Sequence, residues 1–196
     1  AQYSNGVEDD TAKWSRNSHY YGLGLTYEIG KLSLAGIVER FDNKSEEDKN
    51  KATMVYSLSA TYDFEVAKAF FGYQYANRFH SLDQLEDVWV SGKGMNQNAF
   101  TLGAEVPAAG GTFKVAANYG FGKVKSADGV VVDDTKLSND KFNRFTVGAA
   151  YEYPLSKRTF VYGWGAYATA GKMFKEKAVE ENFKSWSLGL GLHHTF

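Results

Sequence analysis

Large apolar residues alternate with small or polar residues along much of this chain. In its last twelve residues, SWSLGLGLHHTF, the even positions from Trp186 to Phe196 are mostly large and apolar, whereas the odd positions are small or polar. A period of two is typical of a β-strand whose two faces meet different surroundings. The pattern recurs in five further segments, at 19–28, 53–64, 98–106, 112–121 and 143–153. It is less clean at 32–41, 68–76 and 159–168, although Phe160, Tyr162 and Trp164 still share one face. The sequence therefore predicts about nine strands.

The connections between these segments alternate between short and long. The short ones are tight turns near 28–31, 63–68, 107–111 and 154–157. The long ones are polar and charged, at 42–52, 77–97, 124–142 and 169–183. Antiparallel neighbours joined in this way place every short turn at one end of a sheet and every long loop at the other.

The composition supports an all-β protein with a single domain over residues 1–196. The chain has 13 Tyr, 14 Phe and 20 Gly but only 2 Pro, which favours strands and excludes extensive disorder. A formal net charge of −1 provides no field that would attract nucleic acid. Cysteine is absent, which excludes disulfides, thiolate metal sites and cysteine nucleophiles.

The two faces of the predicted strands differ in a way that favours lipid on one side and water on the other. Ring-bearing residues such as Tyr21, Tyr62 and Tyr153 lie near strand ends on the apolar face, as in the aromatic girdles of membrane barrels. We therefore predict an antiparallel transmembrane β-barrel. The residues expected to face lipid are Leu23, Leu25, Phe145, Val147, Leu188 and Leu190. The residues expected to face a pore are Glu28, Asp63, Glu105, Lys114, Arg144 and Glu152.

Three stretches together resemble a known family. They are the closing strand SWSLGLGLHHTF with terminal Phe196, the strand and turn VGAAYEYPLSKRTFVYGWGAY at 147–167, and FTLGAEVPAAGGTFKVAANYGFG at 100–122. With these residues the chain resembles the C-terminal half of a Gram-negative general porin of the betaproteobacterial type.

The resemblance implies a location in the bacterial outer membrane and a 16-stranded barrel of which this chain is a part. The first residues, AQYSNG, then read as the end of a strand, and the N-terminal strands of the full porin are expected to be missing, with the constriction loop. The implied function is a trimeric, water-filled channel for passive diffusion of small hydrophilic solutes and ions. The implied partners are outer-membrane lipid, lipopolysaccharide and the outer-membrane insertion machinery. The assembly signal read by that machinery would comprise Trp186, Leu192, His194 and Phe196.

No combination of residues predicts catalysis, a cofactor or a metal site. Histidines 193 and 194 are neighbours in a strand and point to opposite faces, so they cannot chelate one ion together. Acidic runs at 7–10, 45–48 and 131–134 lack the ligand spacing of a calcium loop and are expected to be solvated loops. The charged residues of the polar face either set the potential of a pore or only form cross-strand salt bridges.

Two other interpretations remain open from the residues. A small closed outer-membrane barrel with a structural or adhesive role would have its lumen filled by side chains and no open pore. A soluble ligand-binding barrel would instead bury the apolar face in its interior and fold without lipid.

Overall fold

A computed structural model shows one large antiparallel sheet and a small hairpin. It describes residues 1–5, 17–42, 52–80, 90, 92–132, 134–176, 179 and 184–195. The strands are Gln2–Asn5 (β1), His19–Ile29 (β2), Leu32–Asp42 (β3), Thr53–Asp63 (β4), Lys68–Phe79 (β5), Met95–Ala108 (β6), Gly111–Val124 (β7), Val131–Val132 (β8), Thr135–Lys136 (β9), Lys141–Ser156 (β10), Thr159–Lys172 (β11) and Lys184–His194 (β12). A short 3-10 helix, Met173–Lys175, follows β11.

Sequence neighbours pair throughout the large sheet. Its order is β1-β2-β3-β4-β5-β6-β7-β10-β11-β12, and β8 pairs with β9 in a separate hairpin between β7 and β10. Within the residues that the structure describes, β1 and β12 each pair on one side only. The described sheet is therefore an open wall with two edges rather than a closed barrel.

The nine predicted strands are confirmed, and the structure adds three more. Strand β1 comes from the opening residues and pairs with β2, as expected for the end of a strand. Strands β8 and β9 lie in a segment that we expected to be a loop. Several strands also extend beyond their predicted ends, and β10 reaches 16 residues.

Short turns connect neighbouring strands at one end of the sheet, as predicted. They lie at Gly30–Lys31, 64–67, Ala109–Gly110 and Lys157–Arg158. The last turn is later than the predicted 154–157, because β10 continues through Pro154 to Ser156 with a register irregularity. All of the longer connections lie at the opposite end of the sheet.

The buried hydrophobic cluster lies at the long-loop end of the sheet. Met95, Val124 and Phe142 at the strand ends pack with Val130 and Leu137 from the β8–β9 segment. Met173 and Phe174 of the 3-10 helix complete the same cluster. The sequence did not predict this core, because we read these connections as polar loops. It packs the β8–β9 hairpin against the ends of β6, β7, β10 and β11.

In the described part of the chain, no helix is long and apolar enough to cross a membrane.

Candidate functional site

Strand register sorts the side chains of the large sheet onto two faces. We call the face that carries Lys114 and its cross-strand neighbours the polar face, and the opposite one the apolar face. All six charged residues singled out in the sequence lie on the polar face: Glu28, Asp63, Glu105, Lys114, Arg144 and Glu152. The alternating pattern assigned the face of each residue, because successive side chains of a strand point to opposite sides.

Three of these six residues form an ionic cluster across strands β6, β7 and β10. The Lys114 ammonium lies 2.8 Å from Glu152 Oε2 and 3.8 Å from Glu105 Oε1. Lys114 and Glu105 are direct partners in the β6–β7 register, and Glu152 reaches Lys114 from β10. Each side chain retains about a third of its exposure. The structure therefore contains the cross-strand salt bridges that the sequence left as one of two possibilities.

The other three charged residues lie apart from this cluster. The Asp63 carboxylate accepts a hydrogen bond from the backbone N–H of Glu65, so it stabilises the turn between β4 and β5. Arg144 faces Gly120 and Ala170 in the neighbouring strands, towards the long-loop end. Glu28 pairs with Ser33 close to the first short turn. The six residues thus share a face without forming a single site.

The polar face also holds groups that sequence reasoning missed. Glu39 lies opposite Gly22 and accepts a hydrogen bond of 2.9 Å from the Tyr20 hydroxyl. The Asn118 amide donates a 2.7 Å hydrogen bond to the Thr101 hydroxyl, from β7 to β6. Alternation in segment 32–41 is irregular, which concealed Glu39. The pairing of Asn118 with Thr101 depends on register, which the sequence does not specify for these strands.

Three aromatic rings of β11 lie on the polar face rather than the apolar face. Phe160, Tyr162 and Trp164 pair with Pro154, Glu152 and Ala150 of β10 and with His193, Gly191 and Gly189 of β12. The sequence placed these rings on one face without assigning it. The glycines at alternate positions of β12 were the available signal, because a strand glycine often marks the close approach of another group.

A recess of about 570 Å³ opens on the polar face beside the ionic cluster. Its floor consists of small residues on four adjacent strands, among them Gly103, Ala116, Gly148 and Ala166. Polar side chains also line it, including Thr101, Asn118, Lys114 and Glu105. The recess lies where glycine and alanine leave the polar face low between larger side chains.

The apolar face is open along its length. Leu23, Leu25, Leu188 and Leu190 are 58%, 74%, 73% and 92% exposed, and Phe145 and Val147 share their face. A soluble barrel would bury this face, so the exposure argues against that interpretation. Rings lie towards both ends of the face, with Tyr27, Tyr62 and Tyr153 near the short turns and Tyr21, Tyr56 and Trp186 nearer the long loops.

Three of the four residues expected to form the assembly signal lie within the described part of the chain. Trp186, Leu192 and His194 lie on the apolar face of β12. Trp186 and Leu192 are 75% and 62% exposed. Phe196 lies outside the residues that the structure describes.

A second set of polar contacts ties the long-loop end together. Glu176 accepts hydrogen bonds from the backbone N–H groups of Ser138 at 2.8 Å and Asn139 at 2.6 Å. These bonds hold the pKa of the Glu176 carboxyl below its ordinary value. Nearby, the Lys123 ammonium lies 2.8 Å from Asp140 Oδ2 and lowers the pKa of that carboxyl. Both carboxylates lie outside the strands, and Lys123 reaches Asp140 from the end of β7.

The histidines do not assemble into a metal site. His193 and His194 point to opposite faces, as the pattern predicted. His80 is buried at the long-loop end, with Nδ1 2.7 Å from the Val90 carbonyl oxygen. Among the described residues, no three His, Asp or Glu side chains come together as metal ligands would. The acidic runs at 7–10 and 45–48 fall in parts of the chain that are not described.

Comparisons with known proteins agree with this geometry. A family model described as Gram-negative porin matches residues 1–172. An outer membrane porin protein of Bordetella pertussis is 30% identical over 193 residues, covering 88% of this chain and 45% of that protein. The chain thus spans about half the length of the curated relative that it matches.

Solved structures show the same fold. An anion-selective porin from Comamonas acidovorans has a TM-score of 0.56 at 21% identity, with 98% of this chain and 52% of the other covered. In-vitro folded OmpT, an outer membrane protein of Vibrio cholerae, has a TM-score of 0.62 at 12% identity, with 91% and 56% covered. Both likenesses concern the fold of an outer-membrane β-barrel.

The exposed apolar face, the charged polar face opposite it and the alternation of short turns with long loops are the features of a barrel wall in a membrane. The family match covers most of the chain, and the location that follows is the bacterial outer membrane. This chain belongs to the Gram-negative porin family.

Proposed function

We propose that this chain forms part of the wall of a water-filled channel through which small hydrophilic solutes and ions diffuse passively. The observation that carries the proposal is the opposite character of the two faces. Leu190 is 92% exposed on one face, while Lys114, Glu105 and Glu152 form an ionic cluster on the other. Such a wall is stable when lipid covers the first face and water fills the space behind the second.

In this proposal the pore-facing groups are Glu28, Asp63, Glu105, Lys114, Arg144 and Glu152. They replace part of the hydration of a passing solute and set the potential along the wall. Solutes pass down their own gradients, so transport needs no cofactor and no chemical step. The width of the lumen sets which solutes are excluded, because a solute wider than the water-filled space cannot enter it.

We further propose that residues 1–196 belong to a single barrel domain of about 16 strands, the size at which barrels hold an aqueous channel. Two observations support this. The chain covers about half of its relatives, and β1 and β12 are the edges of the described sheet. The remaining strands, including those around a constriction loop, would precede this segment in the full protein.

The proposed partners follow from the two faces and the location. Outer-membrane lipid and lipopolysaccharide would cover Leu23, Leu25, Phe145, Val147, Leu188 and Leu190. Three such barrels would associate as a homotrimer. During assembly the insertion machinery would read the end of the chain through Trp186, Leu192, His194 and Phe196.

The test is planar-bilayer conductance of the natural full-length polypeptide purified from outer membranes. We expect stepwise, ohmic current increments that grow with salt concentration. Well-folded, membrane-inserted protein that stays silent would instead support a closed barrel with a structural or adhesive role. The intact mass of the same polypeptide tests the barrel size, since we expect about twice the mass of this chain for a barrel of about 16 strands.

A further inference from the structure

The rings of β11 occupy an unusual place for apolar side chains. Phe160, Tyr162 and Trp164 lie on the polar face, in line along one strand. Beside them on β10 are Glu152 and Ala150, so the rings border the ionic cluster. A strand whose only role was to face water would carry small polar side chains at these positions, as β4 does with Ser57, Ser59 and Thr61.

Two of these rings lie across the backbone of β12. A Cβ atom placed on Gly189 would overlap the Trp164 indole, and one placed on Gly191 would overlap the Tyr162 phenol ring. Each ring therefore covers a glycine of β12 on the polar face. Trp164 is still 40% exposed in this position. Phe160 continues the row and stacks on His193, with ring centroids 4.8 Å apart.

Trp164 also forms one end of the recess of about 570 Å³ on the polar face, and Phe70 forms part of its lining. Ligand pockets commonly have volumes of about 300–1,000 Å³. Between these rings the floor is built from glycine and alanine, which leaves room for a planar body on the wall. The recess therefore offers a ring surface, an apolar floor and a depth suited to a small solute.

The polar groups of the recess indicate which solutes fit it. Lys114 and Asn118 provide donors, whereas Glu105 and Thr101 provide acceptors. The Lys114 ammonium contacts both carboxylates, so the cluster of one lysine and two glutamates keeps about one net negative charge. Hydroxyl groups suit such a rim, since each both donates and accepts a hydrogen bond. A solute with hydroxyls around its edge and an apolar face matches the rings and the rim together.

From this arrangement we propose that the recess and the β11 rings form a binding subsite for the pyranose rings of neutral sugars. The proposal rests on the proposed function, because the polar face must line a channel for sugars to reach it. An anionic solute would meet Glu105 and Glu152, and a purely apolar one would strip water from the ionic cluster. A neutral sugar avoids both costs, stacking its C–H face on Trp164 while its hydroxyls reach the polar groups.

The test measures open-channel current through the natural full-length protein with maltose on one side of a planar bilayer. Mannitol is the control solute, because it carries hydroxyls without a ring face. We expect maltose to reduce the current along a saturating curve and mannitol to reduce it only in proportion to bulk conductivity. Equal effects of the two solutes overturn the subsite while the conductance itself still supports the channel. Absence of conductance overturns both proposals.

Substitutions test whether the block by maltose depends on the residues of the recess. Trp164→Ala is expected to raise the half-blocking concentration of maltose about threefold to tenfold, the range expected for loss of one ring contact. Trp164→Phe should retain part of the binding, and Tyr167→Ala, which removes a ring from the opposite face of the same strand, should leave it unchanged. Ala116→Met fills the recess from its floor and keeps the test informative if Trp164→Ala fails to fold. A block that survives both Trp164→Ala and Ala116→Met, or a recess filled by another segment of the protein, contradicts the proposal.

Discussion

The Lys114 ammonium lies 2.8 Å from Glu152 Oε2 across the β7–β10 pair and forms the shorter of its two ion pairs on the polar face. Glu105 lies on the other side of the same ammonium, at 3.8 Å. One lysine thus faces two carboxylates near the short-turn ends of β6, β7 and β10, which leaves the cluster with one net negative charge.

Replacing Lys114 by methionine is expected to shift the channel towards cations. The change leaves Glu105 and Glu152 without their ammonium, and carboxylates near a water-filled lumen attract cations. We expect the cation-to-anion permeability ratio to rise about twofold, equivalent to about 0.4 kcal/mol. Reversal potentials across a salt gradient measure the ratio. Lys31→Met, at a turn where Lys31 pairs with Glu65, is the matched control, and a shift of the same size in both variants would show that Lys114 is not in the pore.

A charged side chain introduced on the apolar face should lower the free energy of unfolding far more than one introduced on the polar face. Leu190→Arg places a guanidinium where lipid is expected, and charged substitutions near the bilayer midplane cost about 2–4 kcal/mol. Ser187→Arg, three residues away on the opposite face, should cost less than about 1 kcal/mol because the side chain meets water. Urea-induced unfolding in phospholipid vesicles gives both values. Similar costs for the two variants would contradict the assignment of the faces.

The β6–β7 turn contains a residue that its backbone conformation does not suit. Ala109 and Gly110 have φ values of +49° and +80°, and a turn of this kind favours Asn-Gly. Ala109→Asn is expected to stabilise the protein by about 1 kcal/mol, because asparagine tolerates the left-handed region better than alanine. Gly110→Ala should act in the opposite direction. The same vesicle unfolding measures both effects, and destabilisation by Ala109→Asn would refute the turn geometry.

The contact between Glu176 and the β8–β9 segment should depend on pH. Hydrogen bonds from Ser138 and Asn139 lower the pKa of Glu176 from its ordinary value of 4.5. The carboxylate therefore stabilises the folded loop above that ordinary value, and the contribution is lost as the pH falls through the lowered pKa.

Amide proton shifts of Ser138 and Asn139 report this titration by NMR in detergent micelles. We expect both to titrate together below pH 4.5, and neither to titrate in Glu176→Gln. In Asp128→Asn, a charge change in the same loop region, the titration should persist. A midpoint at or above 4.5 in the parent protein would mean that these hydrogen bonds do not form in solution.

Most strands of the large sheet, and the faces of their side chains where the alternation is clean, followed from the alternation alone. Leu188 and Leu190 share a face with Trp186 because they are two and four residues away, whatever strand lies next to them. The alternation of short and long connections predicted the ends of the sheet for the same local reason. The face of Lys114 was predictable on these grounds, but its contact with Glu152 was not, because a salt bridge between strands depends on their register.

Two features depended on tertiary structure. The hydrophobic cluster of Met95, Phe142 and Phe174 joins segments that look polar when each is read by itself, because its apolar residues are scattered over several loops and strand ends. The row of rings on β11 faces the polar side because glycines of β12 leave space there, and that pairing is set by the register of two strands. Alternation is a property of neighbouring residues and is written into the sequence. Contacts between segments distant in the chain are selected by how the whole sheet packs, so only the folded structure decides them.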